Sequence, residues 1–124
     1  MNLESIDRDA LLALHRECVA EYGGEGGIRH PAALDAALAY PLECALARDV
    51  DIAALGSAYA FGVLEHRPFN ACNTRAAFLA LGLFLYVNGW RLSASDSDIA
   101  EALLKVAARE MDEAMLADWV RRHL

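Results

Sequence analysis

YAFGVLEHRPFNACNTRAAFLALGLFLYVNG, residues 59–89, is the stretch that decides the fold. Two apolar runs flank a short polar centre, and Pro68 breaks the chain there, since proline lacks an amide donor and fixes its own φ. Neither run alternates apolar with polar residues, so neither reads as a half-buried strand. The second run, residues 76–87, is apolar on nearly every side. It predicts a helix over 73–88 buried at the centre of the domain, with Gly89 as its stop. The first predicts a helix over 51–65 that carries Leu55, Tyr59, Gly62 and Val63. The unit is then helix–loop–helix, with its loop pinned at a helix N-terminus. Free amides and the helix dipole make such a terminus favourable for an anion. Asn73 and Arg75 fall in the first turn, and Arg75 is a fork-shaped donor suited to phosphate.

Outward from this unit the pattern stays helical. Residues 5–22 predict a helix capped by Ser5 or Asp7, with Leu11, Leu14, Cys18 and Val19 near helical spacing and Gly23 and Gly24 as its stop. Pro31 suits the first position of a second helix, expected over 31–39 and ending before Pro41. Residues 41–50 read as less regular, a short turn or flap. After a short extended link over 90–94, Ser95 or Asp96 caps a fifth helix reaching about residue 109, and Asp112 starts a sixth with Trp119 and Val120 on its apolar side. The expected fold class is all-α: a compact bundle of about six helices around a buried central helix, with residues 1–124 forming one domain.

Composition narrows the function. Hydrophobic residues make up 56% of the 124, much of it alanine and leucine, which favours helix. A formal charge of −7 disfavours nucleic acid as a partner, because an acidic chain repels phosphate. Arg121, Arg122 and His123 close the chain as partners of a helix dipole, not as a basic patch. Three cysteines, Cys18, Cys44 and Cys72, with no close pair in sequence, argue against a disulfide framework and against a zinc site. The N-terminus has no apolar signal core, and the 76–87 run is too short to span a bilayer. A soluble, cytoplasmic protein with reduced thiols is expected.

The residues 67–78, RPFNACNTRAAF, lie close to the signature HPF-x-D-G-N-K-R-T-A-F, and the chain resembles the Fic/Doc family there. Pro68, Phe69, Asn73, Arg75 and Phe78 match. Flanking text agrees: Leu14-His15, Glu21-Tyr22-Gly23-Gly24 and Gly27-Ile28-Arg29 resemble the Doc-type N-terminus, and Asn88-Gly89-Trp90-Arg91-Leu92 the turn after the central helix. The likeness covers nearly the whole chain without a gap. It implies a Fic/Doc-like fold and a transferase that uses ATP and magnesium to place a phosphate or a nucleotide on a protein hydroxyl. For Doc-type members it implies a toxin–antitoxin module, a translation elongation factor as protein substrate, and an antitoxin acting in trans. An internal inhibitory string of the form [ST]-x-x-x-E-[GN] is not found, which favours the Doc analogy.

By the same resemblance, a histidine serves as general base, an acidic residue holds magnesium, and the asparagine, the basic residues and the loop amides hold phosphate. Here Arg67 stands at the histidine position, and arginine stays protonated and takes no proton. Ala71 stands at the acidic position and offers no oxygen to a hard cation. Cys72 replaces glycine in the anion loop and Thr74 replaces lysine. Phosphate would fall to Asn70, Cys72, Asn73 and Arg75, or Asn73 and Arg75 serve only to cap and support the helix. Arg67 either binds phosphate or is a solvated replacement. Cys72 is either a reactive thiol at a helix N-terminus or a small filler. His66 is a possible substitute base. It lies one residue early, about 100° round a helix from the family position, so a bulge before Pro68 would be needed to aim it. His15 and His30 show no pattern of a site. The expected activity is weak or absent, and the alternative is a non-catalytic member that binds a nucleotide, an antitoxin or another protein.

Overall fold

The computed structural model describes residues 3–124, and those residues form six helices. They are α1 (Arg8–Tyr22), α2 (Pro31–Ala47), α3 (Ile52–His66), α4 (Asn73–Val87), α5 (Asp96–Ala107) and α6 (Glu113–Arg122). No strand occurs among the described residues, only an isolated antiparallel bridge between Ile28 and Phe69. The caps follow the sequence chemistry. Carboxylates of Asp7, Asp51 and Asp112 accept from the amides of Ala10, Ala54 and Met115, and the Ser95 hydroxyl accepts from Asp98. Asp7 and Ser95 are thus the caps where two residues competed.

Two expectations need correction. The second helix does not stop before Pro41. It continues to Ala47 with Pro41 inside it and buried. Pro41 has no amide for the Ala37 carbonyl one turn back. That carbonyl instead lies against α3 at Gly62, so close that a Cβ there would sit 2.8 Å from the oxygen. The close approach of α3, permitted by a residue without a side chain, covers the site where the helix ladder is broken.

The second correction concerns the centre. α4 is buried on one face only, through Ala76, Ala77, Ala80, Leu81, Phe84 and Leu85, while Tyr86 on its outer side is 79% exposed. The most enclosed helix is α3, which packs against α2, α4, α5 and α6. Small residues allow this. A Cβ on Gly56 would come within 2.9 Å of the Leu81 side chain, so α3 and α4 meet nearly backbone to side chain. The residues 3–6 are drawn in by Asn88, whose amide group bonds both the backbone N–H and the carbonyl of Glu4, at 2.7 and 2.9 Å. No described helix is long and apolar enough to cross a membrane.

Candidate active site

The polar centre of the motif is the link between α3 and α4. α3 ends at Arg67, which takes a left-handed conformation (φ 45°), and α4 begins after Cys72, also left-handed (φ 64°). Such values are uncommon for residues with a Cβ and are held only where the surroundings determine them. Phe69 supplies the anchor: it is 1% exposed and lies in the core. The buried Asn73 brackets it, accepting from the Phe69 amide at 3.1 Å and donating to its carbonyl at 3.0 Å. One asparagine thus satisfies both backbone groups of a buried loop residue.

The segment following α1 braces the loop from outside. The amides of Arg29 and His30 donate to the Pro68 carbonyl at 2.8 and 3.2 Å, and the Asn70 amide donates to the Gly27 carbonyl at 3.2 Å. The Asn70 side chain donates to the Gly26 carbonyl at 2.9 Å. The Arg29 guanidinium donates to the Arg67 carbonyl at 2.6 and 3.0 Å and to the His66 carbonyl at 3.2 Å, capping the end of α3. Gly24 must remain glycine, because its φ is +104° and a Cβ would meet that of Ala71 at 2.9 Å.

His15, which showed no pattern of a site in the sequence, lies beneath the loop. It is buried, its ring is stacked on Phe69 at 3.8 Å between centroids, and its Nε2 bonds the Ala71 carbonyl at 2.8 Å. A carbonyl only accepts, so Nε2 carries the proton. The signal for His15 and Arg29 was present in the flanking Leu14-His15 and Gly27-Ile28-Arg29 text. What was missing was the knowledge that α1 and its following loop pack under and over the motif.

The face presented outward is different. Cys72 gives α4 no side-chain cap, and its carbonyl accepts the Ala76 amide at 2.8 Å. The amides of Asn73, Thr74 and Arg75 precede that bond and have no partner among the described residues, which is the arrangement that suits an anion. Arg75 is exposed and lays its guanidinium over the Tyr22 ring, 3.9 Å from the centroid. Stacking uses the face of the guanidinium and leaves its N–H edge free for a planar acceptor. Asn70 and Asn73, by contrast, have their side-chain amides engaged within the protein. His66 is the last residue of α3, and both it and Arg67 are exposed with no side-chain hydrogen bond or ion pair among the described residues. No bulge precedes Pro68: α3 runs regularly through His66, and the Arg67 amide bonds the Val63 carbonyl at 2.9 Å. Ala71 brings a methyl group, with no oxygen for a hard cation such as magnesium, to the position that the resemblance gives to an acidic residue.

Beside Arg75, a cavity of about 450 Å³ opens between α1, α4 and α5, lined by Leu14, Tyr22, Phe78 and Leu79 and edged by Glu17 and Glu21. A second hollow of about 410 Å³ adjoins it along α4, sharing Phe78 and reaching Tyr86 and Trp90. Gly82 in the second hollow faces open space.

Comparison with known proteins agrees with this geometry. The model of the Fic/DOC family matches residues 5–85. The chain is also 26% identical over 121 residues to the protein kinase doc of Escherichia phage P1, an overlap that takes in 97% of this chain and 95% of that protein. The family match takes in α1, α2, α3 and all but the end of α4, about two thirds of the sequence, and the chain belongs to the Fic/DOC family.

Proposed function

We propose that this protein is a Doc-like component of a toxin–antitoxin module that holds phosphate at the N-terminus of α4 but transfers it weakly or not at all. The observation that carries the reading is the split within one loop. The amides of Thr74 and Arg75 and the Arg75 guanidinium remain available to an anion, whereas the base and metal positions hold Arg67 and Ala71. General base catalysis needs a group that accepts a proton near neutral pH, and arginine does not. A hard divalent cation needs oxygen ligands, and Ala71 has none. No step through magnesium is therefore derived for this chain. ATP would be held by its phosphates at the loop amides and Arg75, without a metal bridging them.

Similarity to the protein kinase doc of phage P1 supports the Doc-type reading, and the module and the antitoxin partner follow from what that resemblance implies. An antitoxin segment in trans would lie along α4, over the cavity at Tyr22 and Phe78 and the adjoining hollow that reaches Tyr86 and Trp90, with Arg75 beside the first to meet an acidic side chain. Titrating the protein with ATP, with and without magnesium, tests the phosphate reading. Binding should be the same in both, should be competed by inorganic phosphate, and should weaken in Arg75→Gln. Binding that requires magnesium would overturn it, because a cation site would then have to exist.

A further inference from the structure

We propose that the hollow between residues 3–5, α2 and α3 is a binding site for a small neutral molecule with an apolar body and a carbonyl oxygen, which accepts from the Tyr59 hydroxyl. The hollow holds about 310 Å³. Its walls come from Pro41, Leu42, Val50, Leu55 and Phe84, and the strap of residues 3–5 forms one side. Phe84 lies near the C-terminal end of α4, whereas the 67–75 loop meets the other end of that helix. The site is therefore separate from the loop, and the proposal stands whether or not the loop transfers anything.

Tyr59 is the polar group built into this hollow. It is 2% exposed, and its ring packs on Phe84 at 4.9 Å between centroids. Its hydroxyl oxygen accepts from the Ile6 amide at 3.4 Å, which puts the hydroxyl against the strap that borders the hollow. The hydroxyl proton has no acceptor among the described residues. Burial pushes Tyr59 above its ordinary pKa of 10, with the Ile6 amide working against it, so the hydroxyl remains a donor at neutral pH. A buried donor without an acceptor is costly, and the apolar side chains around it cannot meet it.

Charge at the mouth narrows the class of ligand. Glu4, Arg48 and Asp49 stand there, exposed and without an ion pair among the described residues. Two carboxylates against one guanidinium repel an anion. A cation held by those carboxylates would leave the Tyr59 proton unpaired. A carbonyl oxygen pairs with that proton and brings no charge into the apolar interior, while the rest of the molecule packs on Phe84 and the leucines.

The test is a titration of the intact chain, followed by NMR shifts of its backbone amides. One probe is acetophenone, and the other is α-methylstyrene, in which a methylene group replaces the carbonyl oxygen. Acetophenone should bind saturably, with shifts centred on Leu42, Val50, Leu55 and Tyr59. It should bind about 2- to 10-fold more tightly than α-methylstyrene, the contribution of one neutral hydrogen bond. In Tyr59→Phe the two should bind alike, whatever the substitution does to both together. Benzoate and benzylammonium should each bind more weakly than acetophenone. The proposal is overturned by the lack of a saturable shift at these residues, by equal affinities of the two probes in the native chain, by a preference that survives Tyr59→Phe, or by tighter binding of either ion. If Tyr59→Phe folds poorly without an acceptor for the Ile6 amide, the comparison in the native chain decides the matter alone.

Discussion

The inner and outer sides of the 67–75 loop have separate fates. On the inner side the loop is held by specific partners: Phe69 is in the core, Asn73 brackets it, and His15 lies flat beneath it with a bond to Ala71. On the outer side His66 and Arg67 reach into solvent, and Ala71 presents a methyl group. The inner side is specified by burial, where an unpaired polar group is expensive. The outer side is specified only by chemistry, and a change of chemistry there leaves the packing intact. A loop can therefore keep its shape whatever side chains stand at the two positions that the resemblance assigns to a base and a metal ligand.

The largest expected effect follows from restoring the outer side. Arg67→His together with Ala71→Asp returns a base and a carboxylate to a loop that is already braced. A positioned base is typically worth about 10²–10⁴ in rate, with more from a bound metal. Transfer of label from ATP to an elongation factor should rise by that order in the double variant and much less in either single one, since the groups act as a unit. Thr74→Lys supplies the remaining cation if the double variant gains little. Equal gains from the single changes would break the comparison, because the two positions would then act apart.

Stability separates the sides next. Asn73→Ala strands the buried amide and carbonyl of Phe69, and an unsatisfied buried group costs about 1–3 kcal/mol. Arg67→Ala removes a side chain without a partner, and surface changes of that kind stay within about 0.5 kcal/mol. Urea denaturation of the two variants checks the difference. Equal midpoints would mean that the inner bracket does not hold the loop.

A smaller effect lies away from the loop, at the cap of α3. Arg121 pairs with Asp51 at 2.7 Å and holds its carboxyl below the usual value of 3.8, with burial working against it and the Ala54 amide assisting. A depressed carboxyl contributes stability that is present above its unfolded pKa and is lost as pH falls through the lower folded value. Asp51→Asn retains a good cap but loses the ion pair. Both partners are nearly half exposed, so solvent screening limits the loss to about 0.2–1 kcal/mol at neutral pH. The gap between the two proteins should close below pH 3.8, and a gap that persists there would assign the effect to capping instead.

Much of this molecule was legible in its sequence. Asp7, Ser95 and Asp112 mark helix starts by local chemistry, which is why α1, α5 and α6 were expected nearly where they lie. Pro41 was misleading because the rule against proline is local, while its remedy, the approach of Gly62 to the Ala37 carbonyl, joins residues far apart in sequence. The apolar run of α4 overstated its burial, since composition does not say on which sides neighbours stand; Tyr86 and Val87 face outward. α3 carried the better sign in its small residues Gly56, Ser57, Ala58, Ala60 and Gly62, which admit neighbours on several sides. In the site, Arg67 and Ala71 were readable as departures because a residue's chemistry needs no coordinates. The positions of His15 and Arg29 were not, because their roles exist only once α1 and its following loop close over the motif.

The proposed weak or absent transfer depends on Arg67 standing where a base is needed and on His66, at the regular end of α3, not replacing it. The direct measurement is a transfer assay on the unaltered protein, with labelled ATP, magnesium and an elongation factor, run beside His66→Ala. The account predicts no label above background in either protein. Robust label in the native chain that disappears in His66→Ala would contradict it, and would make His66 the base that the end of α3 delivers to the site.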